Sequence, residues 1–428
     1  MQDSIKASHS PFDVELFSTR VQWVVFVCAC VIVFALNLWQ EYRAYREFST
    51  KENKEIYAQV INQYTKHKNG KTYEVLKLKT KQGEIFYTTS REDIKDLSHR
   101  FVRIYGKGLE CSFVSYLQHC FFVSYRISLL NERDYRDFLR EWIETQHTES
   151  AIASLYKTLF MADALPSIWR DLSARLGIAH LIAISGFHLG ILSFVLGWIL
   201  SSIYRIFHHR LSYRNKYFDV GFMVLVGLFA YLLLLDFTPS FLRAFTMAVC
   251  GFLVVYSGIK LFSFRLLVVV VCVCVAFFPR LIFSIGFGLS VSGVFFIYLF
   301  VKYVRLDSKV LYVLLFNTLI FFDMLPLTHW FFPYFTSLSL LSIPISLLFV
   351  VFFPAMLIAH IVGVGALCDE FLQWAMNLQI NSIEFYTPWW FLCIFTLCAI
   401  GAIYTKRLYY TLHLLALLFF GYMVYKSV

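Results

Sequence analysis

Apolar runs of membrane-spanning length dominate this sequence and limit what it can fold into. A helix needs about 20 mainly apolar residues to cross the hydrocarbon core of a bilayer. Hydrophobic residues make up 59% of the 428-residue chain, which is not the composition of an ordinary soluble protein. We therefore predict a mostly α-helical, polytopic membrane protein with about ten transmembrane helices. The candidate spans lie at about residues 21–39, 178–205, 217–235, 240–258, 265–279, 281–301, 310–326, 336–360, 388–404 and 408–425.

Basic loops between the spans predict the orientation of the chain, because such loops usually stay in the cytoplasm. Three of them qualify, with Arg205, Arg210, Arg214 and Lys216 in the first, Lys260 and Arg265 in the second, and Lys302, Arg305 and Lys309 in the third. We expect these loops and the N-terminus to be cytoplasmic. Residues 361–380 contain Asp369 and Glu370 and form either a weak crossing or an interfacial helix, so the side of Lys406 and Arg407 stays open.

Residues 41–112 differ from the rest because they are polar and contain short runs of alternating character. Asn69-Gly70 has the composition of a tight hairpin turn between the first two runs. Several short strands within one such segment predict a small β-barrel outside the cytoplasm. The OB-fold is the natural candidate, but the strand pattern alone does not distinguish it from other small barrels. The predicted strands are Ile56 to Tyr64, Thr72 to Leu78, Ile85 to Thr88 and Phe101 to Tyr105.

This barrel also carries basic residues beside aromatic ones, an arrangement that can hold a nucleic-acid backbone and stack bases. The candidates are Lys77, Lys79, Lys81, Phe86, Tyr87, Arg103 and Lys107. The same segment is rich in acidic residues, so the alternating lysines are equally consistent with a solvated strand face. Cys111 and Cys120 lie close together outside the spans and form a possible disulfide on the oxidising side of the membrane.

Residues 113–165 connect the barrel to the main series of spans. Tyr135, Phe138, Leu139, Trp142 and Ile143 recur at helical spacing and predict an amphipathic helix on the membrane or against the bundle. The apolar run at 151–162 is too short to cross and suggests a re-entrant or interfacial piece. The predicted parts are therefore an anchor (1–40), an OB-like domain (41–112), amphipathic or interfacial helices (113–165) and a polytopic domain (166–428).

The segment from Arg175 to Leu192 combines an apolar run with ionisable side chains, which are costly in lipid and normally serve a function there. At about 100° per residue, Ser185 and His188 would lie close enough on one helix to form a hydrogen bond, with His180 on much the same side. Gly186 and Gly190 form a small-xxx-small step on which another helix can pack.

Arg243 follows a predicted helix start, with Thr238 as the N-cap and Pro239 as the first helical residue. The free N–H groups of such a start favour an anion, so Arg243 suits a phosphate path. An arginine that reaches to the interface or pairs with Asp236 explains the same residues equally well. Other polar residues near span ends are consistent with ordinary interfacial placement, namely Asp163, Asp323 and His329.

Three blocks of sequence resemble ComEC-type competence proteins, the inner-membrane channels that pass single-stranded DNA into naturally transformable bacteria. They are Leu-Gly-Ile-Ala-His-Leu-Ile-Ala-Ile-Ser-Gly-Phe-His-Leu-Gly, Thr-Pro-Ser-Phe-Leu-Arg-Ala-Phe-Thr-Met (238–247) and Gly-Phe-Gly-Leu-Ser-Val-Ser (286–292). The resemblance implies a DNA-transport channel for natural transformation in the bacterial inner membrane, with the OB-like domain in the periplasm. It favours the phosphate path for Arg243 and implies a DNA path lined by His180, Ser185, Gly186, His188, Arg243, Asp163 and His329.

The resemblance also implies partners: single-stranded DNA, membrane lipid, a periplasmic DNA receptor, and a cytoplasmic ATPase or single-strand-binding protein. Many members of that family end in a metallo-β-lactamase-like domain, whereas this chain ends in a span and has no His-x-His-x-Asp-His cluster. We expect a short form whose second DNA strand is degraded by another protein. The sequence has neither a Walker A loop nor zinc-site spacing, so we expect no enzyme activity, catalytic residue, metal or cofactor.

Two other functions fit parts of the sequence. Ala183-Ile184-Ser185-Gly186 is close to the Gly-x-Ser-Gly of rhomboid-type intramembrane proteases, with His360 or His413 as the base. A small-solute transporter or a structural subunit of an envelope machine is compatible with the composition but does not explain the family-like blocks.

Overall fold

A computed structural model describes residues 19–50, 53–68, 70–80, 83–90, 94–108, 111–206, 215–256 and 264–427. Predictions that fall on Asn69, Lys81, Arg210, Arg214 and Lys260 lie outside the described residues. The chain forms two compact units. The bundle unit comprises Met1–Cys30, Ser167–Cys274 and Ser284–Val428, and the barrel unit comprises Val31–Pro166 and Val275–Phe283.

The bundle unit is helical. Its helices after Pro166 are α5 (Ser167–Arg175), α6 (Ala179–Ile182), α7 (Gly186–Ile206), α8 (Lys216–Leu234), α9 (Pro239–Tyr256), α10 (Phe264–Phe277, whose last three residues belong to the barrel unit), α11 (Ile285–Tyr303), α12 (Lys309–Phe331), α13 (Ser342–Val362), α14 (Asp369–Met376), α15 (Trp389–Ala402) and α16 (Lys406–Ser427). Short 3-10 turns at Ser337–Leu341 and Gly365–Cys368 and a two-strand pair, β6 (Tyr334–Phe335) with β7 (Ile383–Glu384), complete it.

The prediction of a polytopic helical membrane protein is confirmed. Among the described residues, seven helices are long and apolar enough to cross a membrane: one at Arg20–Ser49, together with α7, α8, α11, α12, the helix through Ser337–Val362, and α16. Three further predicted runs form shorter apolar helices, at Ser240–Leu253, Phe264–Phe277 and Trp389–Ala402.

Side-chain caps fix where several of these helices begin. Asn215 Oδ1 accepts from the backbone N–H groups of Tyr217 and Phe218 at the start of α8. Ser284 Oγ accepts from Phe287 N at the start of α11, and Ser308 plays the same part for α12. These short polar side chains satisfy N–H groups that the first helical turn leaves without partners.

The span predicted at 178–205 is broken, which corrects the expectation of one continuous helix. Gly177 has a left-handed backbone (φ 69°), α6 is a single turn, and α7 begins only at Gly186. A Cβ atom on Gly177 would lie 3.3 Å from the Cβ of Ser339, so the chain also needs glycine there for close approach. His180 and His188 therefore occupy separate helices.

Residues 363–382, between α13 and β7, form a 3-10 turn and α14 and not one long helix. The hydroxyl of Tyr303 and the ammonium of Lys302 donate to the carbonyls of Ala402 and Ile403, so the ends of α11 and α15 lie together. The β6–β7 pair, by contrast, lies at the far end of α12. The contacts of Lys302 and Tyr303 place Lys406, which follows α15, on the same side as Lys302.

The barrel unit is built on a closed five-stranded sheet with strand order β1-β2-β3-β5-β4. The strands are β1 (Lys54–Lys68), β2 (Lys71–Thr80), β3 (Ile85–Ser90), β4 (Phe101–Gly108) and β5 (Cys120–Leu129). All neighbours are antiparallel except β3 and β5, which run parallel. Lys68 pairs with Lys71, so only two residues separate β1 from β2, and Gly70 has φ 72°.

The barrel extends beyond the predicted range 41–112, because β5 lies in the part that was expected to be helical. A bulge between Tyr105 and Gly106 shifts the pairing of β4 with β5 and disturbs the alternation that would have revealed the strand. The first helix, α1 (Arg20–Thr50), is also longer than its apolar run. Its Phe48 ring stacks on Phe86 at 5.0 Å and packs on the barrel core.

Three further helices belong to this unit: α2 (Phe113–Gln118), α3 (Asp137–Glu144) and α4 (Ser150–Met161). α3 carries the predicted amphipathic pattern, but it buries Arg140 and leaves Phe138 72% exposed. Because the aromatic face of α3 is exposed, the location of this helix on the membrane surface stays a prediction. The turn at Pro279–Phe283 belongs here too, where Arg280 forms an ion pair with Glu41 at 2.7 Å.

The buried face of α3 is occupied by a cluster of ion pairs. Arg140 donates from Nε and Nη2 to the two oxygens of Asp163, at 2.8 and 3.0 Å. Burial alone would raise the pKa of Asp134, but hydrogen bonds from Arg136 and Gln59 lower it below its usual range. Burial lowers the pKa of His99, although Asp163 opposes the shift. The cluster ties α3 and α4 to strand β1.

Candidate functional site

Three helix N-termini meet around Arg243 in the bundle unit. Arg243 lies in the second turn of α9, and its guanidinium carbon is 5.6 Å from the ring centre of Phe287, in the first turn of α11. A Cβ atom on Gly186, the first residue of α7, would lie 3.5 Å from the Cβ of Ala244. The beginnings of α7, α9 and α11 are therefore neighbours.

This arrangement has a positive potential without a counter-ion. Each helix start has backbone N–H groups without helical partners and the positive end of a helix dipole, worth about half a unit charge. Arg243 is 4% exposed and its Nε has no hydrogen-bond partner. Within the described residues no carboxylate pairs with it. An uncompensated buried cation is costly, so the site is suited to receive an anion.

The backbone just before α9 is unusual in the same place. Asp236 and Phe237 both have left-handed backbone angles, φ 51° and 53°. α9 begins at Pro239 as predicted, but the hydroxyl of Thr238 is buried without a hydrogen-bond partner, so it does not act as the predicted side-chain cap. Strained backbone of this kind is concentrated at functional sites. Thr238 adds an unpaired hydroxyl donor next to Arg243's helix start.

His188 contributes a second unpaired donor, in the first turn of α7. It is fully buried, and its ring contacts Phe349 and Phe353 of α13 edge-on, at 5.2 and 4.8 Å. Its Nδ1 accepts a hydrogen bond from the backbone N–H of Ser185 at 3.3 Å. The neutral ring must then carry its proton on Nε2, and that nitrogen has no partner in the described residues.

The predicted hydrogen bond between the side chains of Ser185 and His188 does not form. Ser185 Oγ accepts instead from the backbone N–H of Phe187 at 3.3 Å, which caps α7. His180 lies on α6, is exposed, and bonds through Nδ1 with the carbonyl of Gly177 at 3.0 Å. The break before α7 explains the difference, because a serine at a helix start turns to the backbone.

These contacts also remove the protease alternative. His360 bonds through Nδ1 to the carbonyl of Met356 in its own helix, and His413 bonds to Asp323. Neither of these histidines, nor His188, forms a hydrogen bond with Ser185 Oγ in the described part of the chain. A serine nucleophile needs such a base within reach.

The predicted packing glycines divide into two groups. Gly186 packs against α9, as expected for a small residue in a helix crossing. A Cβ atom on Gly190, Gly288 or Gly293, however, would meet no atom within 4 Å. Gly190 therefore does not take part in the close packing that was predicted for it, and Gly288 and Gly293 of α11 are equally uncrowded.

Two other predicted path residues lie elsewhere. His329 is buried near the end of α12, where its Nδ1 has no partner and its ring lies 5.7 Å from that of Phe335. Asp163 belongs to the barrel unit, and Arg140 occupies both of its carboxylate oxygens. We therefore assign Asp163 a structural part in the ion cluster and remove it from the DNA path.

The residues predicted to bind nucleic acid do not all lie on the outer face of the barrel. Lys77 and Tyr87 pair across β2 and β3 on the outer face, with Lys77 Nζ 5.9 Å from the ring centre, and burial lowers the pKa of Lys77. Lys79 shares this face of β2, and Arg103 and Lys107 are exposed on β4. Phe86 is 1% exposed in the core and is not available to stack on a base, because residues of a strand alternate between faces.

Sequence reasoning missed some outer residues of the barrel. Tyr105 and Tyr125 are exposed on β4 and β5 with ring centres 6.2 Å apart, and Arg103 lies on the same face of β4 as Tyr105. The alternating pattern of β4 indicated that Arg103 and Tyr105 share one face. Tyr125 lies on β5, whose own pattern is disturbed by the bulge, so its position could not be predicted. In the same unit Cys111 and Cys120 are joined, with Cα atoms 5.9 Å apart.

Fold and site together define a multi-pass membrane protein with a buried arginine among three helix starts and with a small β-barrel. A family model described as Competence protein matches residues 161–426, more than half of the chain and a range that includes all three helix starts. The chain belongs to the competence protein family. This membership indicates a role in DNA uptake for transformation, with DNA as the transported substrate. No curated protein and no solved structure matches the chain.

Proposed function

We propose that the protein is an inner-membrane channel that conducts single-stranded DNA into the cytoplasm during natural transformation. The observation that carries the proposal is the meeting of the N-termini of α7, α9 and α11 around the unpaired guanidinium of Arg243. In this proposal the phosphates of the strand replace the missing counter-ion of Arg243, and Thr238 and His188, at the starts of α9 and α7, donate further hydrogen bonds to the strand.

The energetics of a polyanion in a membrane support this function. Burying one charge at the centre of a bilayer costs about 3 kcal/mol or more, and a DNA strand carries one charge for each nucleotide. Passage therefore needs a path where fixed positive groups and water replace the lost hydration. Three helix starts and an arginine supply the fixed positive groups.

The broken segments support a cavity. Backbone without helical hydrogen bonds is tolerated at membrane depth only where protein or water satisfies it. Among the described residues, such segments include the one before α7 and the one between α13 and α15. Transporters often build their substrate sites from discontinuous helices of this type, with half-helix N-termini pointing at anionic groups.

Loop charge supports the orientation of the channel. α7 and α11 end beside the basic residues Arg205 and Lys302, which favour the cytoplasmic side. The three helix starts then lie towards the periplasmic side, where an incoming strand would arrive. The same rule makes the N-terminus cytoplasmic and the barrel unit periplasmic.

For the barrel we propose an OB-type fold that contacts single-stranded DNA. The strand order β1-β2-β3-β5-β4 and the parallel β3–β5 pair support this assignment. Lys77 and Tyr87 on the outer face offer a cation beside a ring, the combination that holds a backbone and stacks bases. A periplasmic DNA receptor and a cytoplasmic ATPase or single-strand-binding protein remain the proposed partners.

Replacement of Arg243 tests the channel. A charge-assisted hydrogen bond is worth about 1.5–3 kcal/mol, so Arg243→Ala should reduce entry of labelled DNA into the cytoplasm about 10- to 150-fold. Arg243→Lys keeps the charge without the fork and should lie between this variant and the wild type. The matched control is Arg305→Ala, in an exposed loop.

The experiment is performed in a strain that lacks the chromosomal gene, and DNA is measured separately in periplasm and cytoplasm. The proposal expects Arg243→Ala protein to accumulate in the membrane while DNA stops in the periplasm. Wild-type delivery of DNA to the cytoplasm by this variant would contradict the assignment of the path.

A further inference from the structure

Two ionisable side chains pair inside the bundle unit, on helices other than the three whose starts meet around Arg243. Asp323 of α12 and His413 of α16 lie with Oδ1 and Nδ1 2.8 Å apart. Their side chains are 3% and 12% exposed. Both belong to helices long and apolar enough to span a membrane. Ionisable residues in such places mark pathways for ions, protons or substrates more often than they serve stability.

Among the described residues, no further charged side chain is paired with these two. The helices packed around the pair also carry these titratable groups: Tyr298, Lys302 and Tyr303 of α11, Lys309, Tyr312 and His329 of α12, His360 of α13, Cys393 and Cys398 of α15, and Lys406, Arg407, Tyr409, Tyr410, Tyr422, Tyr425 and Lys426 of α16. The lysines and Arg407 lie in the first or last turn of their helices. Tyrosines and cysteines are neutral at physiological pH. His360 is engaged with the carbonyl of Met356 in its own helix. Within the described residues, no lysine or arginine forms an ion pair with Asp323.

Counting protons shows what such an isolated pair does. Without a proton to share, the carboxylate and the neutral imidazole carry a net charge of minus one. With one proton the pair is neutral overall, whether the proton resides on Oδ1 or on Nδ1, and with two it carries plus one. Because an unbalanced charge is costly in low dielectric, the state with one shared proton is favoured over both others.

The surroundings of His413 provide a second access point for that proton. Its Nε2 is buried without a hydrogen-bond partner, and so is the hydroxyl of Tyr409, one turn earlier on α16. The rings of these two residues are 4.3 Å apart and edge-on. An imidazole can accept a proton at one nitrogen and release one from the other, which is why histidine serves in proton relays. Two unpaired polar atoms beside each other are also where a water molecule can bridge.

We propose that Asp323 and His413 form an intramembrane proton-binding site that takes up and releases one proton in step with DNA transport. On uptake, a proton binds the pair at Nε2 or at the carboxylate and is shared between Oδ1 and Nδ1. On release, the proton leaves and the carboxylate stays behind with a neutral imidazole. The resulting negative charge favours movement of α12 against α16 until a proton returns. The coupling to transport rests on the proposed channel function, whereas proton binding itself does not.

Infrared spectroscopy of the purified full-length protein in lipid nanodiscs tests proton binding without DNA. In a pH titration, the carboxylate bands of Asp323 and the ring bands of His413 should change together at one midpoint. Asp323→Asn should remove the carboxylate change and shift the titration of His413. His413→Gln should produce the C=O band of a lone protonated acid. The matched control is His360→Gln, a buried histidine of a neighbouring helix.

An unchanged titration of His413 in the Asp323→Asn protein would overturn the proton site, because the two groups would then be independent. Asparagine keeps the size and a hydrogen bond of the aspartate, so this variant is expected to fold. Its amount in the membrane and its elution from a size-exclusion column verify this.

DNA uptake as a function of external pH tests the coupling. The rate of DNA uptake by the wild type should vary several-fold with external pH. Asp323→Asn should lower the uptake rate at least tenfold, and the residual rate should be independent of pH. Wild-type uptake with wild-type pH dependence in Asp323→Asn would overturn the coupling. Normal uptake by Arg243→Ala would instead refute the channel proposal, and the infrared titration would still decide whether the proton site exists.

Discussion

Arg140→Ala should strongly destabilise the barrel unit, because Arg140 is the cation at the centre of its buried ion cluster. The arginine donates to Asp163 at 2.8 and 3.0 Å, to Asp137 at 2.7 Å and to Asp134 at 3.1 Å. Asp134 stays paired after the substitution, since Arg136 also bonds to it at 2.8 and 2.9 Å. Asp163 is left with one nitrogen partner.

That partner is His99, whose Nε2 is 3.5 Å from Asp163 and whose pKa burial lowers, so it is a poor source of positive charge. Removing one member of a buried ion pair costs about 3–5 kcal/mol. For a unit of this size the loss corresponds to a fall of roughly 6–20 °C in unfolding temperature. Asp163→Asn in the same protein removes the uncompensated charge and should recover part of the loss.

The assay is thermal unfolding of the purified full-length protein, combined with the rate of limited proteolysis within residues 31–166. Glu141→Ala, exposed on the same helix, is the matched control and should stay within about 0.5 kcal/mol of the wild type. An Arg140→Ala protein as stable as this control would refute the reasoning, as would a double variant less stable than Arg140→Ala alone.

Three further predictions concern acid, backbone and base stacking. The pKa values of His99 and Asp134 are lower in the folded protein than in the unfolded chain. Each group therefore contributes to stability at pH values above its pKa in the unfolded chain. This contribution should be lost as the pH falls, below about 6.5 for His99 and below about 4 for Asp134. An unfolding temperature that is constant from pH 7 to about pH 3 would contradict this. Gly177→Ala should cost at least about 1 kcal/mol through its left-handed backbone and the 3.3 Å approach to Ser339, measured as a lower amount of folded protein in the membrane. Tyr87→Ala should weaken binding of labelled single-stranded DNA to the full-length protein about 5- to 150-fold, whereas unchanged affinity would remove this face from the interface.

Much of the architecture could be predicted from the sequence, because it depends on local properties of the chain. Apolar length indicated the spans, Pro239 indicated the start of α9, and Asn69-Gly70 indicated the turn between β1 and β2. Each of these signals lies within a few residues of the structure it specifies. The strand that the prediction missed is β5, whose pairing with β4 is shifted by a bulge.

The candidate site was predicted only in part for a related reason. Arg243 and His188 stood out as polar residues in apolar runs, but nothing in either run reveals that their helix starts are neighbours. The inward direction of Phe86 likewise depends on which face of β3 the barrel closes around.

The sequence by itself determined that this chain has helices long and apolar enough to cross a membrane and which polar side chains those helices carry. Only the tertiary structure decided which of those side chains meet, as with Asp323 and His413, 90 residues apart. The physical reason is that hydropathy and helix capping act between neighbours along the chain. The pairing of charges depends instead on contacts between distant segments, and those exist only after the helices have packed.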